Sequence, residues 1–494
     1  MGIISNQSIK NSMYFYIGLV FGCLSTIIFY PNTFNESPEN LGLLQIILAY
    51  STVISTVSFI GMPKTIIRFF PYFDNKNQLI SFSLLVSIFG FLLVFVTFLI
   101  FRDEIYNLIG ADILLKKYFY LVFILVILLS FFEIFSSLSR SLLDSSTPIF
   151  IREVFLKGST IFLLFLHWFD FISFSVFLHL YIFIYFIMVI ILIISTIKSF
   201  RYRLTFIFNE VNIKRLFRYG FFVLIGGASA IIVSRVDMIM IGKYVGLTEV
   251  AYYSVAFFIG NVIRVPARAL GSIASPIISR AWKESDMQKI YDIYYKSSIN
   301  QLIFGGFIFL IVWLNIDDAL LFLPEKFRGG KLVVLFIALS QLFNVTTGVN
   351  GKIIINSKFY KFDLYSNIIL LVITLFTNYL FIRDTSPLFE YGIYGINGAA
   401  FATALSIFIF NFIKLLYLYI KIKIHPFTIK TLFTLILLIV IYFLINFICF
   451  PENLFLRIFL KSFTIFLLYF SLVFVFKLSI DIENIVKKKL NMIT

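Results

Sequence analysis

Four ionisable side chains lie within two apolar segments that are otherwise suited to cross a lipid bilayer. Arg235 and Asp237 share the first segment, and Arg264 and Arg268 lie in the next. Charged groups at membrane depth are costly, so they usually face a protein interior or a water-filled cavity. The planar guanidinium stays protonated and matches the oxygen geometry of a phosphate. These positions therefore predict a site for an anionic group between helices.

The second of these segments presents its polar side chains on one face. Asn261, Arg264 and Arg268 follow one another at spacings of three and four residues, which places them on the same side of a helix. Pro266 lies between the arginines and allows the helix to kink or unwind there. A basic face on a kinked helix favours phosphate binding. In the alternative interpretation the arginines extend toward the cytoplasmic surface, which suits Arg268 best because it lies near the end of the segment.

Arg235 and Asp237 stand two residues apart, so a regular helix points them to different sides. Each then needs a partner on another helix or an aqueous cavity. Asp237 has three interpretations: a structural clamp near the outer surface, a cation or proton site, or a gate that pairs with an arginine of the cavity.

Lys64 and Arg68 are also four residues apart, directly after the second apolar segment. They serve either as simple cytoplasmic charge that orients the chain or as the cytoplasmic mouth of the same basic cavity. Five other basic residues near the inner ends of segments are expected to orient the chain, namely Arg140, Arg152, Lys157, Lys352 and Lys414. Glu133 is expected to pair with one of them.

The composition identifies an integral membrane protein. Of 494 residues, 60% are hydrophobic and only 13% are charged, and the mean hydropathy is +0.99. Such a chain cannot keep its apolar surface out of water in a soluble fold. The net charge of +16 comes from residues in short loops, so nucleic acid is not an expected partner. The two cysteines form no disulfide framework and the three histidines form no ligand cluster, so no metal or cofactor is expected.

About 20 apolar residues are needed to cross a bilayer, and this criterion predicts an all-α chain with about fourteen spans. They lie near 11–31, 41–62, 79–101, 117–137, 151–168, 172–197, 217–241, 250–273, 295–315, 331–352, 362–383, 392–420, 428–449 and 454–476. With both termini in the cytoplasm, 28 of the 41 lysines and arginines fall on the cytoplasmic side and ten outside, as the positive-inside rule requires.

Two stretches resemble a known family. VDMIMIGKYVGLTEVAYYSVA at Val236–Ala256 resembles the signature of the seventh and eighth helices of polysaccharide-biosynthesis (O-antigen and capsule) flippases, which belong to the multidrug/oligosaccharidyl-lipid/polysaccharide exporter superfamily. YGIYGINGAAFATALSIFIFNFIKLLYLY at Tyr391–Tyr419 is similar to their twelfth helix. A third stretch, ENLGLLQIILAYSTVISTVSFIGMPKTIIRFF at Glu39–Phe70, is similar to their second helix and its trailing arginine.

The resemblance implies two six-helix lobes around a basic cavity that opens alternately to each side. We expect an N-terminal lobe at 1–210, a C-terminal lobe at 211–424, and two extra helices with a basic tail at 425–494. Arg68 matches the arginine that ends the second-helix motif, and Asp237 matches the acidic residue before the I-G-x-x-x-G turn. Arg264 and Arg268 match no motif residue.

The predicted function is a flippase that moves an undecaprenyl-diphosphate-linked oligosaccharide from the cytoplasmic to the periplasmic leaflet of a bacterial inner membrane. Membrane lipids are expected partners, and the polysaccharide polymerase and chain-length machinery are candidate partners. One alternative is a cation-coupled exporter of small organic molecules from the same superfamily. A membrane glycan polymerase or ligase is disfavoured because the outer loops are short, so no enzymatic activity is expected.

Overall fold

The computed structural model describes residues 2–73, 75–200, 203, 205, 210–479, 481 and 483. Every regular element within this part is helical, which confirms the all-α prediction. The chain divides into two compact units, Met1–Val255 and Ala256–Thr494. The predicted lobe boundaries at residues 210 and 424 stay predictions.

The first unit contains the helices up to α14, which continues into the second unit. They are α1 (Gly2–Cys23), α2 (Tyr30–Thr33), α3 (Pro38–Ser58), α4 (Met62–Phe69), α5 (Lys76–Ile100), α6 (Arg102–Ile109), α7 (Ile113–Tyr118), α8 (Tyr120–Ser141), α9 (Ser146–Phe150), α10 (Leu156–Trp168), α11 (Phe174–Ser199), α12 (Glu210–Val233), α13 (Val236–Tyr244) and α14 (Leu247–Asn261). Two π-helical turns, Leu24–Phe29 and Ile151–Phe155, connect α1 to α2 and α9 to α10.

The second unit contains the remaining nine α-helices of the described chain. They are α15 (Val265–Lys283), α16 (Met287–Leu314), α17 (Ile316–Leu321), α18 (Lys331–Thr346), α19 (Asn350–Asn356), α20 (Lys361–Ile382), α21 (Gly395–Ile422), α22 (Ile429–Asn446) and α23 (Leu454–Val475). The last two helices pack on α16, where the hydroxyl of Tyr469 donates to the carbonyl of Ile303 at 2.9 Å.

Thirteen helices of the described chain are long and apolar enough to cross a membrane, so the protein is a multi-pass membrane protein. The predicted fifth span, 151–168, corresponds to the π-helical turn and α10, and α9 precedes them without interruption. Three charged residues in this region set it apart from the thirteen. Two of these charges pair with each other, because Lys157 Nζ contacts Glu153 Oε2 at 2.7 Å. Lys157 Nζ also donates to the carbonyl of Gly18 at 2.8 Å.

Small residues allow α20 and α21 to approach closely. A Cβ atom added at Gly398 would overlap the carbonyl oxygen of Phe381. Ala399, Ala400 and Ala402, which follow on α21, are fully buried. The stretch GINGAAFAT at Gly395–Thr403 therefore provides the flat face on which these two helices pack.

We expect Gly398→Ala to destabilise the protein by about 1–3 kcal/mol or more, because a methyl group at this contact forces the two backbones apart. The loss of monodisperse protein with rising temperature in detergent measures this effect. Gly329→Ala is the matched control, since a Cβ there meets no atom within 4 Å. Equal stability of the two variants would contradict the close helix contact.

Candidate anion-binding cavity

The eighth span changes its helical form at the arginine predicted to bind an anion. α14 ends at Asn261, a 3-10 turn covers Val262–Arg264, and α15 begins at Val265. Pro266 lies in the first turn of α15, where its missing N–H removes no helical hydrogen bond. The helix therefore changes to a 3-10 turn with Arg264 at its end, and the predicted kink or unwinding stays a prediction.

Arg264 lines a cavity of about 490 Å³ within the second unit. Six helices or their ends contribute to its wall, namely α15, α16, α18, α19, α20 and α21. The lining residues are Arg264, Ala267, Gly271, Gln301, Asn344, Val345, Gly348, Val349, Asn350, Gly351, Lys352, Ile355, Asp363 and Lys414.

The charged side chains of this cavity are mostly basic. Arg264, Lys352 and Lys414 carry three positive charges, and Asp363 is the one acidic residue among the lining side chains that the structure describes. The net charge of these described lining residues is therefore +2, the difference between three cations and one carboxylate. Lys414 Nζ contacts Asp363 Oδ1 at 2.9 Å, and both side chains are largely buried. A cavity with this balance attracts anions.

An amide-rich wall lies beside these charges. Gln301, Asn344 and Asn350 line the cavity from α16, α18 and α19. Amide groups donate and accept hydrogen bonds at the same time, as sugar hydroxyls do. The cavity thus combines a cationic part with a part that can bind uncharged polar groups.

The tenth span is interrupted at this wall. α18 ends at Thr346, Gly348 adopts the left-handed conformation with φ +62°, and α19 begins at Asn350. A Cβ atom at Gly348 would lie 2.9 Å from Ser297 Oγ and 3.1 Å from the backbone nitrogen of Ser298, so glycine is required for both reasons.

Asn411 of α21 holds this interruption together. Its Nδ2 donates to Asn344 Oδ1 at 3.1 Å, and its Oδ1 accepts from Thr347 Oγ1 and Asn350 Nδ2, each at 3.2 Å. Asn411 is 2% exposed, so water does not replace these bonds. One buried amide therefore fixes two residues that line the cavity.

Other predicted site residues lie in the first unit. Lys64 and Arg68 are exposed on α4, where the Arg68 guanidinium carbon lies 4.6 Å from the centre of the Tyr219 ring on α12. Lys64 Nζ lies 3.4 Å from the position that a Cβ of Gly227, also on α12, would occupy. The two basic residues are thus neighbours on one short helix and face the same partner helix.

Arg235 and Asp237 have partners on different helices, as their spacing predicts. The hydroxyl of Tyr253 on α14 donates to Asp237 Oδ2 at 2.8 Å, and Asp237 is 4% exposed. Arg235 precedes α13 and lies near Tyr181 and Tyr185 of α11. Asp237 is thus hydrogen-bonded within the first unit, as the clamp interpretation expects; its role as a gate or ion site stays a prediction.

Glu133 pairs with basic residues, as the sequence predicts. It forms an ion pair with Arg152 and lies 3.8 Å from Arg140 Nη2. The side chain of Arg268 lies outside the described part of the structure. Asn261 donates through Nδ2 to the carbonyl of Phe257 at 3.0 Å, so this amide hydrogen bonds within its own helix.

Sequence reasoning missed the contribution of Lys352, Lys414 and Asp363 to the cavity. The two lysines were interpreted as charges that orient the chain, whereas Lys414 is 5% exposed and ion-paired. A usable signal was present, because Asn411 and Lys414 are three residues apart and share one face of an apolar helix.

We expect Asn411→Leu to destabilise the second unit by about 1–3 kcal/mol or more, because it leaves buried polar groups of Thr347, Asn344 and Asn350 without their partner. Thermal unfolding in detergent and proteolysis of the α18–α19 connection measure the effect. Asn446→Leu, at the exposed end of α22, serves as the control. Unchanged stability of Asn411→Leu would refute its role in holding the interrupted helix.

The sequence model of the polysaccharide biosynthesis protein family matches residues 8–282, which is more than half of the chain. The chain belongs to this family. A second family model, described as MatE, matches residues 223–380. The chain is also 26% identical, over 221 residues, to an uncharacterized membrane protein of Methanocaldococcus jannaschii; the match covers 41% of this chain and 39% of that protein.

Solved structures of transporters share the fold of this family member. The lipid II flippase MurJ, in an inward closed conformation, has a TM-score of 0.73 and 17% identity, with 95% of this chain and 100% of that chain covered. An inward-facing multidrug resistance MATE family transporter of the MOP superfamily has a TM-score of 0.62 and 14% identity, with 83% and 98% covered. A MOP superfamily transporter from Pyrococcus furiosus, described as having a binding pocket of reverse polarity, has a TM-score of 0.52 and 14% identity, with 84% and 95% covered. The chain is therefore a member of the polysaccharide biosynthesis protein family whose fold is similar to that of these transporters.

Proposed function

We propose that this protein is a flippase for an undecaprenyl-diphosphate-linked oligosaccharide. The observation that carries the proposal is the cavity of the second unit, whose lining has a net charge of +2 and an amide-rich wall. The diphosphate would supply negative charge to the basic side chains, and the attached sugars would supply hydroxyl groups to the amide-rich wall. Alternating access moves this headgroup from the cytoplasmic to the periplasmic leaflet of a bacterial inner membrane for envelope polysaccharide synthesis.

Arg264 is the principal phosphate ligand in this proposal. Arg264 lies at the end of the 3-10 turn and lines the cavity, and a guanidinium can donate two parallel hydrogen bonds to phosphate oxygens. Lys352 adds a point charge from α19 on the same wall. Arg268, one helical turn after Arg264, is proposed as a second phosphate ligand, and Asn261 as a polar neighbour of the site.

The basic residues of the first unit have an earlier role in the proposed cycle. Lys64 and Arg68 are exposed on α4 and attract the headgroup at the cytoplasmic surface, and Arg235 binds it at membrane depth. Asp237 and Pro266 are the proposed gating positions. The proposed cycle places both termini in the cytoplasm and uses the two six-helix lobes and the C-terminal helix pair with the boundaries proposed from the sequence, at residues 210 and 424.

The membrane potential supplies a driving force for this direction. Moving one charge through 100 mV changes its free energy by about 2.3 kcal/mol. Since the interior of a bacterium is negative, an anionic headgroup is driven outward. The polysaccharide polymerase and chain-length machinery then use the lipid-linked product in the periplasmic leaflet.

The decisive experiment measures flipping of a fluorescent undecaprenyl-diphosphate disaccharide in proteoliposomes. We expect the wild type to move the lipid across the bilayer and Arg264→Ala to slow this about tenfold or more, because a hydrogen bond to a charged group contributes about 1.5–3 kcal/mol. Arg264→Lys keeps the charge but loses the two-pronged donor geometry, so we expect partial activity.

Arg280→Ala is the matched control for this series. Arg264 directly precedes α15, and Arg280 lies in the last turn of that helix. The Arg280 side chain is 76% exposed, pairs with Glu284 and is not part of the cavity lining. Normal flipping by a well-folded Arg264→Ala variant would remove Arg264 from the site. If the wild type moves no lipid but exports cationic dyes against a pH gradient, the protein is a multidrug-type exporter.

A further inference from the structure

One ion pair on the cavity wall joins two side chains that are largely buried. The Lys414 and Asp363 side chains are 7% and 20% exposed, and they join α21 to α20 with Nζ and Oδ1 2.9 Å apart. Both residues also line the cavity that we assign to the headgroup. A buried pair at a binding surface is either a structural clamp or part of the binding chemistry.

A clamp is not needed at this position. The same two helices are also joined further along α20 by Thr377 Oγ1 and Ser406 Oγ, which lie 3.0 Å apart, and by the close approach of Gly398 to Phe381. Buried ion pairs contribute little net stability, because desolvation of the two charges offsets their attraction. The pair is therefore better explained by what it does in the cavity.

The surroundings of Lys414 keep its ammonium group at the cavity wall. Nζ lies 4.1 Å from the centre of the Phe410 ring, a favourable position for a cation. It also lies 3.5 Å from the position that a Cβ of Gly351 would occupy, so the backbone of α19 approaches it closely. An ammonium group has three donors, and its contact with Asp363 leaves room for a second anionic partner.

Asp363 has a second hydrogen bond that does not involve Lys414. Its Oδ2 accepts from Asn367 Nδ2, one turn further along α20, at 3.1 Å. The carboxylate therefore keeps a donor when the contact to Lys414 is broken. Lys352, on the same wall, acts electrostatically on Lys414 and favours any added anion.

We propose that Lys414 is an exchangeable anion ligand, and that an anionic group of the cargo replaces Asp363 as its partner when the cavity is occupied. Asp363 acts as an internal competitor that recovers Lys414 when the cargo leaves. This inference rests on the proposed function, because it names a residue of the same cavity and its mode of action. Competition of this kind prevents the cationic cavity from holding its cargo too tightly to release it.

The test compares binding and flipping in nanodiscs and proteoliposomes, with an undecaprenyl-diphosphate disaccharide of neutral sugars as the first probe. We expect Asp363→Asn to bind this lipid about tenfold more tightly than the wild type and to flip it more slowly, because release is impaired. The double variant Asp363→Asn/Lys414→Gln is expected to bind about ten- to hundredfold more weakly than Asp363→Asn, which corresponds to the loss of a charged hydrogen bond.

Two control variants separate exchange from a structural clamp. Asp317→Asn breaks another ion pair of this unit, Lys331–Asp317, which lies outside the cavity lining. This variant is expected to leave binding unchanged. The reversed pair Asp363→Lys/Lys414→Asp keeps the attraction between α20 and α21 but moves the cation. Wild-type flipping by the reversed pair would overturn the proposal, and so would wild-type affinity of the folded double variant for both a neutral-sugar probe and a uronic-acid probe.

Further probes identify which anionic group takes the place of Asp363. If the diphosphate does so, the neutral-sugar probe shows the full effect of Asp363→Asn. If the carboxylate of an acidic sugar does so, only a disaccharide that contains a uronic acid shows it. If the wild type flips lipid but Asp363→Asn changes the affinity for neither probe, the exchange alone is refuted. If the wild type neither binds nor flips either probe, the proposed function is refuted and the exchange with it.

Discussion

A charge placed inside a bilayer must find its counter-charge or hydrogen-bond partner within the protein, because lipid offers none. The structure of both units follows from this requirement. In the first unit, Glu133 pairs with Arg152 and Asp237 accepts from Tyr253. In the second, Asp363 neutralises Lys414. The apolar helices form the bulk of the fold, and these few polar contacts decide which helix faces lie together.

The same requirement explains why backbone irregularities collect around the cavity. A helix can change its form inside a membrane only where other groups accept or donate the displaced hydrogen bonds. The 3-10 turn that ends at Arg264 and the interruption at Gly348 both meet this condition, and both lie on the cavity wall. At the second, the side chain of Asn411 joins polar side chains from both sides of the interruption. Irregular backbone and a polar cavity are thus two results of one constraint.

Local patterns in the sequence were sufficient for the helices and for one residue of the cavity. Apolar length predicted the spans, and charge at membrane depth identified Arg264, Arg235 and Asp237 as residues that need partners. Sequence spacing could not reveal the pairing of Asp363 with Lys414, because the partners are 51 residues apart on different helices. The interruption at Gly348 was missed for a similar reason, since its glycine is required by the contact with Ser297 and Ser298 on another helix.

The contacts of Lys157 have a consequence for the biogenesis of the protein. The region 146–168 carries Arg152, Glu153 and Lys157 within its helical segment, and part of that charge is satisfied by the carbonyl of Gly18 on α1 and by Glu133 on α8. A translocon that tested this segment by itself would meet its charges unpaired. Stable insertion therefore depends on helices that were synthesised earlier, so the order of synthesis provides the partners before they are needed.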